Sequence, residues 1–233
     1  MNQGPENTLR FSDILASSVH DMKNSIAMLL NTIDEAIDEC SIDSSPGLRR
    51  LSDAQYEARR ANNGLIQLLT LYKIHNAQFI ANISHHSVHE FLEEMLITSE
   101  RLLHARGIHA DMDCPSDLYW FFDQDLVAGV INNVINNAFR YARKRIRLVA
   151  HEWQDFLVLG VEDDGTGYPP DMVSGPGLGT EKTSVSFRTG STGLGFFFSA
   201  TVARLHTKNR RQGYIDVENG GTLGGGCFRM MLP

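Results

Sequence analysis

At 233 residues, with 42% hydrophobic and 21% charged side chains, the chain has the balance of a globular protein long enough for one large domain or two modest ones. A net charge of −7 speaks against nucleic acid or an anionic membrane as the main partner, and no apolar run approaches the roughly 20 residues that span a bilayer. The polar start, MNQGPENT, lacks the basic residues and apolar stretch of a signal peptide. Cys40, Cys114 and Cys227 are scattered and odd in number, which fits neither a disulfide framework nor a zinc site and predicts a reducing, cytoplasmic setting.

Residues 1–8 read as a polar arm. Leu15, Val19, Met22, Ile26, Leu29, Ile33 and Ile37 then step by fours and threes, the heptad seam of a helix. Residues 41–47, with Asp43, Ser44, Ser45 and Pro46, predict a loop. A second seam runs through Leu51, Ala58, Leu65, Leu69 and Tyr72, interrupted by Gln55 and Asn62. Two helices cannot cover two such stripes well. An antiparallel hairpin over residues 9–80 that pairs with a second copy into a dimeric four-helix bundle is therefore predicted, against the alternative of a hairpin packed on the following domain.

The heptads stop around residues 76–86, which predicts a hinge. Ser87 and Glu90 form a capping box opening a helix through Val88, Phe91, Met95 and Leu102, with Gly107 as its stop. Strands are predicted at 108–112 and 118–122. Asp123 then caps a helix that is apolar at Leu126, Val127, Val130, Ile131, Val134 and Ile135. Strands follow near 146–150 and 156–161, a helix over 194–205, and closing strands over 214–217 and 227–232. The fold class is α+β, the helical hairpin being followed over residues 81–233 by an α/β sandwich. His85, His86 and His89 read as surface residues rather than metal ligands, Trp120 to Phe122 as core, and Arg210-Arg211 as a solvated turn.

Four segments carry chemistry. His20-Asp21-Met22-Lys23-Asn24 puts an imidazole on the flank of the first seam. A neutral imidazole nitrogen is a nucleophile near pH 7, Asp21 can take or orient its other proton, and Asn24 lies one turn on, able to position a water. Alone, His20 reads as a surface histidine. In residues 133–141 (NVINNAFRY), Asn133 and Asn137 share one helix face and offer oxygens suited to Mg²⁺. Arg140 suits phosphate, and Tyr141 offers a ring to a base. Asp163, Gly165 and Gly167 end an apolar strand. The glycines allow close backbone approach, and the carboxylate can accept from an exocyclic amine. Lastly Thr192, Gly193, Leu194 and Gly195 lead into a helix and offer free amides to an anion. The spacing is neither a Walker A nor a Rossmann fingerprint. The Gly/Ser/Thr-rich stretch of residues 170–189 reads as a lid over the ligand.

In this order the segments resemble the sensor histidine kinases from about residue 9 to the end. His20 to Asn24 resembles the H-box, residues 133–141 the N-box, Asp163, Gly165 and Gly167 the first glycine box, and Gly193-Leu194-Gly195 the second. Gly225-Gly226-Cys227-Phe228 resembles the closing G-x-x-F region. The resemblance implies a dimerisation and histidine-phosphotransfer domain (residues 9–80) and a Bergerat-type ATP-binding domain (residues 81–233).

By the same resemblance His20 takes the γ-phosphoryl group of ATP with Asp21 as base, and phosphate then passes to an aspartate of a response-regulator receiver domain. Asn24 orients water for dephosphorylation of that partner. Asn137, with Asn133, holds Mg²⁺; Arg140 meets phosphate, Tyr141 lies by the adenine, and Asp163 binds its amino group. Ser25 stands where many members carry proline, and Asp164 where many carry asparagine, adding negative charge near the nucleotide. The short polar start implies input from an upstream sensor protein or from a sensor domain of a longer chain. The alternative, a non-enzymatic phosphotransfer or scaffold protein with a degenerate ATP fold, fits poorly with complete glycine boxes and both asparagines.

Overall fold

The structure, a computed structural model, describes residues 11–39, 46–170, 172–173 and 193–233. The predicted N-terminal arm, most of the 41–47 loop, Thr192 and nearly all of the predicted lid lie outside the described residues. The chain divides into two compact units between Asn76 and Ala77.

The first unit holds α1 (Phe11–Glu39) and α2 (Pro46–His75), packed against each other. Proline suits the first position of α2, where its missing N–H has no helical partner anyway. Asp34 of α1 is held by Gln55 and Arg59 of α2, which fixes how the helices slide along one another. Only part of the α1 seam is covered. Val19 and Ile33 are buried, but Met22 and Leu29 are 52% and 53% exposed. Among the described side chains of α2, Tyr56 and Gln67 are buried, while the seam positions Leu51, Ala58, Leu65, Leu69 and Tyr72 are half-buried. Tyr56 and Gln67 lie about three turns apart, so they share a face that an apolar-only reading passes over.

The second unit contains β1 (Ser84–Ser87), α3 (Val88–Ala105), β2 (His109–Asp113), β3 (Tyr119–Phe122), α4 (Gln124–Tyr141), β4 (Arg145–Trp153) and β5 (Phe156–Asp163). After it come α5 (Leu194–Leu205), β6 (Thr207–Lys208), β7 (Arg211–Gln212), β8 (Tyr214–Asn219) and β9 (Gly226–Leu232). One five-stranded sheet runs β2-β4-β5-β9-β8, with β2 parallel to β4 and the other neighbours antiparallel. Strand β4 alternates, burying Ile146, Leu148 and Ala150, while β5 and β9, inside the sheet, are buried almost throughout. Helix α3 packs on β2 and β4, α4 on β5, and α5 on β8 and β9. Burying a side chain such as Ile131 or Leu159 in this core stabilises by roughly 1.5–3 kcal/mol.

The helix signals act as predicted. Ser87 Oγ accepts from Glu90 N–H (3.3 Å), and Gly107, just past α3, has φ 68°. Asp123 caps α4, its Oδ1 accepting from Leu126 N–H (3.0 Å). Two local readings need correction. The hinge region contains β1, whose His85 and His86 pair antiparallel with Phe121 and Trp120 of β3. In the Trp120 to Phe122 run only Phe122 is core, because strand alternation turns Phe121 outward (55% exposed) against His85. Arg210 lies in an exposed turn as expected, with Asn209 and Arg210 at positive φ between β6 and β7, and the exposed Arg211 begins β7, paired to Asp155.

A buried node that the sequence did not signal joins α4 to α5. His206 Nε2 accepts from Asp123 N–H (3.0 Å), so its proton is assigned to Nδ1, 2.9 Å from Val202 O. Asp123 Oδ2 also accepts from Asn82 N–H (2.7 Å). Burial, opposed by the Val202 carbonyl and Asp123, holds the His206 pKa below its ordinary value of 6.5. A depressed histidine pKa means that the unfolded chain binds the proton more tightly. The stabilising contribution is therefore complete above the unfolded value and is lost as pH falls through the folded one. Urea midpoints taken between about pH 8 and pH 5 should fall on acidification, and should fall less for His206→Gln, which is less stable at the upper end.

Candidate functional site

Asn133 and Asn137 lie on one face of α4, half-buried, with Val134 and Ile135 buried beside them. Asn133 meets the start of α5 directly. A Cβ on Gly195 would sit 2.5 Å from its Nδ2 and 2.8 Å from its Oδ1. Glycine at 195 is what lets the two helices approach this closely. Gly193 is the N-cap of α5 and supplies no side-chain cap, so the helix opens with backbone amides and the positive end of its dipole. Leu194 is half-buried. At the other end of α4, the exposed Arg140 guanidinium lies 5.6 Å over the Tyr141 ring, which is 49% exposed.

Strand β5 ends in two buried acids, Glu162 and Asp163, whose side chains leave by opposite faces of the sheet. Asp163 is surrounded by main chain. Its Oδ1 accepts from Gly165 N–H (2.7 Å) and Gly226 N–H (3.2 Å), and its carbonyl from Gly225 N–H (3.0 Å). Any side chain at these glycines would intrude. A Cβ on Gly225 would lie 2.5 Å from Asp163 O, one on Gly226 2.9 Å from Asp163 Oδ2, and one on Gly165 2.3 Å from Tyr141 O. Burial raises the Asp163 pKa, although the amides of Gly165 and Gly226 work the other way and Asp164 adds to the rise. Both amide donors go to Oδ1, so Oδ2 is the atom suited to a ligand's N–H. Gly165→Ala would press its methyl into the α4 backbone, which cannot yield as a side-chain end can. A loss of roughly 1–3 kcal/mol in stability is expected, read by thermal unfolding.

The loop beyond is pinned by a residue far along the chain. Asn219 Oδ1 accepts from Tyr168 N–H (2.6 Å) and its Nδ2 donates to Tyr168 O (2.8 Å). Gly167 has φ 77°, and a Cβ there would sit 2.5 Å from Asn219 Oδ1. The Tyr168 ring packs edge-on against Phe196, and Phe196 against Phe228, which makes an aromatic wall. Burial, then Asp163 and Cys227, push the Tyr168 phenol above its ordinary pKa, so it stays protonated.

Asp164 directs its carboxylate to main-chain amides. It accepts from the amides of Arg143 (2.8 Å), Lys144 (3.0 Å) and Arg145 (3.1 Å), closing the corner between α4 and β4. Burial opposes its charge, yet those amides outweigh it and hold its pKa below the ordinary carboxylate range.

The fold thus brings Asn133 to Gly195, Tyr141 to Gly165, and Gly165 to Asp163. Thr192 lies outside the described residues. His20, Asp21 and Asn24 are on α1, in the other unit. Asn24 is exposed, and the side chains of His20 and Asp21 are outside the described set. Sequence reasoning missed Tyr168, Asn219, Glu162 and Thr222 as parts of the site. The Gly225-Gly226 pair was the signal pointing to the turn that carries one of them, whereas Asn219 in Asn-Gly-Gly reads only as a turn residue.

Residues 122–233 match the family profile described as histidine kinase-, DNA gyrase B-, and HSP90-like ATPase. Sensor protein SrrB of Staphylococcus aureus is 24% identical over 226 residues, covering 95% of this chain and 38% of that protein. The chain thus spans 38% of the length of that relative. Among solved structures, Acinetobacter baumannii histidine kinase AdeS superposes with a TM-score of 0.59 at 18% identity, over 90% of this chain and 95% of that one. Full-length ShkA in complex with AMPPNP superposes with a TM-score of 0.61 at 16% identity, over 95% of this chain and 46% of that one. At such identities these two likenesses show the fold. The chain is thus homologous to part of a sensor histidine kinase, and residues 122–233 carry the match to the histidine kinase-, DNA gyrase B- and HSP90-like ATPase family.

Proposed function

We propose that the chain is an ATP-dependent protein-histidine kinase of a two-component system, which phosphorylates its own His20 and passes the phosphate to a response-regulator aspartate. The observation that carries this reading is the buried, amide-clamped Asp163, in the same unit as the Asn133–Gly195 contact. A desolvated carboxylate with one oxygen left for a donor fits the exocyclic amine of adenine, and a helix opening on uncapped amides fits phosphate.

Bound ATP and Mg²⁺ supply the γ-phosphoryl group and neutralise its oxygens. Asp163 accepts the adenine amine and so orients the nucleotide. Asn137 and Asn133 hold Mg²⁺ through their side-chain oxygens. Gly193, Leu194 and Gly195, with Thr192 ahead of them, present amides to the phosphates; Arg140 adds charge there, and Tyr141 lies by the base. Gly165 and Gly167 keep the loop close enough for this. His20 attacks phosphorus through a ring nitrogen. The bond to the β–γ bridging oxygen breaks, ADP leaves, and Asp21 takes the proton from the other nitrogen. A receiver-domain carboxylate oxygen then attacks the phosphorus of the phosphohistidine, the P–N bond breaks, and Asp21 returns the proton to the departing imidazole. In the reverse sense of signalling, Asn24 orients a water that hydrolyses the partner's acyl phosphate.

The half-exposed Met22 and Leu29, seven residues apart, leave an apolar stripe on one face of α1. A second copy covers it in a dimeric four-helix bundle. Input comes from an upstream sensor protein or domain. Among the described residues no helix is long and apolar enough to cross a membrane, and a cytoplasmic location goes with the reading.

Titration calorimetry with ATP and Mg²⁺ tests the site. Wild type binds, and Gly195→Ala, which displaces the Asn133 amide, binds about tenfold more weakly at an unchanged unfolding temperature. A wild-type chain that takes up no ATP would end this reading.

A further inference from the structure

The turn from β8 to β9, residues 220–226, contains five glycines. Gly220, Gly221 and Gly224 have φ of 114°, 53° and 86°, the left-handed region that favours glycine. Such a segment loses much backbone entropy when ordered, so it keeps one shape only if it is fastened. Gly220 N–H to Gly225 O (2.8 Å) and Gly224 N–H to Gly220 O (2.6 Å) close the turn on itself without fixing it to its surroundings. Its far end is the part that clasps Asp163, through Gly225 and Gly226.

The fastening comes from Glu162. This carboxylate is 5% exposed, on the face of β5 opposite to Asp163. Its Oε2 accepts from both the backbone N–H (2.8 Å) and the hydroxyl of Thr222, in the middle of the turn. Its Oε1 lies 3.8 Å from the Cys227 thiol, whose pKa burial pushes up to about 12, so it remains a donor. A Cβ on Gly221 would sit 3.1 Å from the same carboxyl carbon.

We propose that Glu162 is a positioning residue of the nucleotide site, holding the turn at Thr222 so that Gly225 and Gly226 keep Asp163 aimed at the base. The inference rests on the reading of Asp163 as the acceptor of the adenine amine. Glu162 does not touch the nucleotide and acts only through the turn and Asp163. A loosened turn lets the Asp163 carboxylate rotate, and the loss falls on base recognition. Guanine carries a carbonyl where adenine carries the amine, so the ratio of ATP to GTP affinity reports the aim of Asp163. Mere destabilisation of the domain lowers both affinities alike.

The test measures dissociation constants of ATP and GTP, with Mg²⁺, on the full chain. Glu162→Ala is expected to lower the ATP preference about tenfold, Thr222→Val about threefold, and Glu162→Gln, which keeps an acceptor for Thr222, less than about twofold. Thermal unfolding accompanies each. Where Glu162→Ala does not fold, Thr222→Val carries the comparison, because it removes one hydrogen bond at nearly constant volume. An unchanged ATP preference in the folded members of this pair overturns the positioning role while the nucleotide site stands. Absence of ATP binding in wild type overturns the underlying site reading as well.

Discussion

Asp163→Asn raises the dissociation constant for ATP by about a hundredfold and leaves the domain folded. Asparagine can keep its oxygen on the Gly165 and Gly226 amides, but its NH₂ group then replaces Oδ2 and faces the adenine amine, donor against donor. The fold does not suffer because the native carboxylate works against it. Burial raises the Asp163 pKa, so the folded state holds the proton more tightly than the unfolded chain does. Its stabilising contribution is complete below the ordinary value of 3.8 and is lost as pH rises through the folded value. At neutral pH the ionised side chain is a net cost, one that a ligand's donor offsets. Calorimetry should show the weakened binding, and thermal unfolding at neutral pH an equal or higher midpoint than wild type. An ATP affinity within about threefold of wild type would remove Asp163 from base recognition.

His20→Gln separates binding from chemistry. Glutamine has no nucleophilic ring nitrogen, so the variant should acquire no covalent phosphate, while its ATP dissociation constant stays within about twofold of wild type. The expectation follows from placement: His20 is on α1 of the first unit, while Asp163, Asn133 and Gly195 belong to the second. Intact-protein mass spectrometry after incubation with ATP and Mg²⁺ reads the result. A phosphate adduct persisting in the variant would put the acceptor elsewhere.

What local chemistry could specify was legible in the sequence. Ser87 and Asp123 start their helices where side-chain caps predict, and the six apolar positions of α4 are all buried. Residues 194–205 form the helix their pattern implies. Features resting on long-range partners were not legible. Strand β1 is a short polar run that becomes a strand because β3 offers it a ladder. Glu162 and Thr222 are 60 residues apart, and Asn219 and Tyr168 are 51 apart. Such side-chain to backbone bonds leave no periodic trace. The amide partners of Asp164 leave as little trace, since they lie about twenty residues upstream. On α2 the buried stripe includes Gln67, which a count of apolar residues discards.

Incubating the full chain with γ-labelled ATP and Mg²⁺, then exposing it to acid and to base, reads the phosphorylated atom itself. A phosphoramidate on imidazole is lost in acid and survives base, whereas a serine or threonine ester survives acid. Wild type should carry label that acid removes and base spares, and Asp163→Asn should carry almost none. Acid-stable label, or no label on a chain that binds ATP, would contradict a kinase acting on His20.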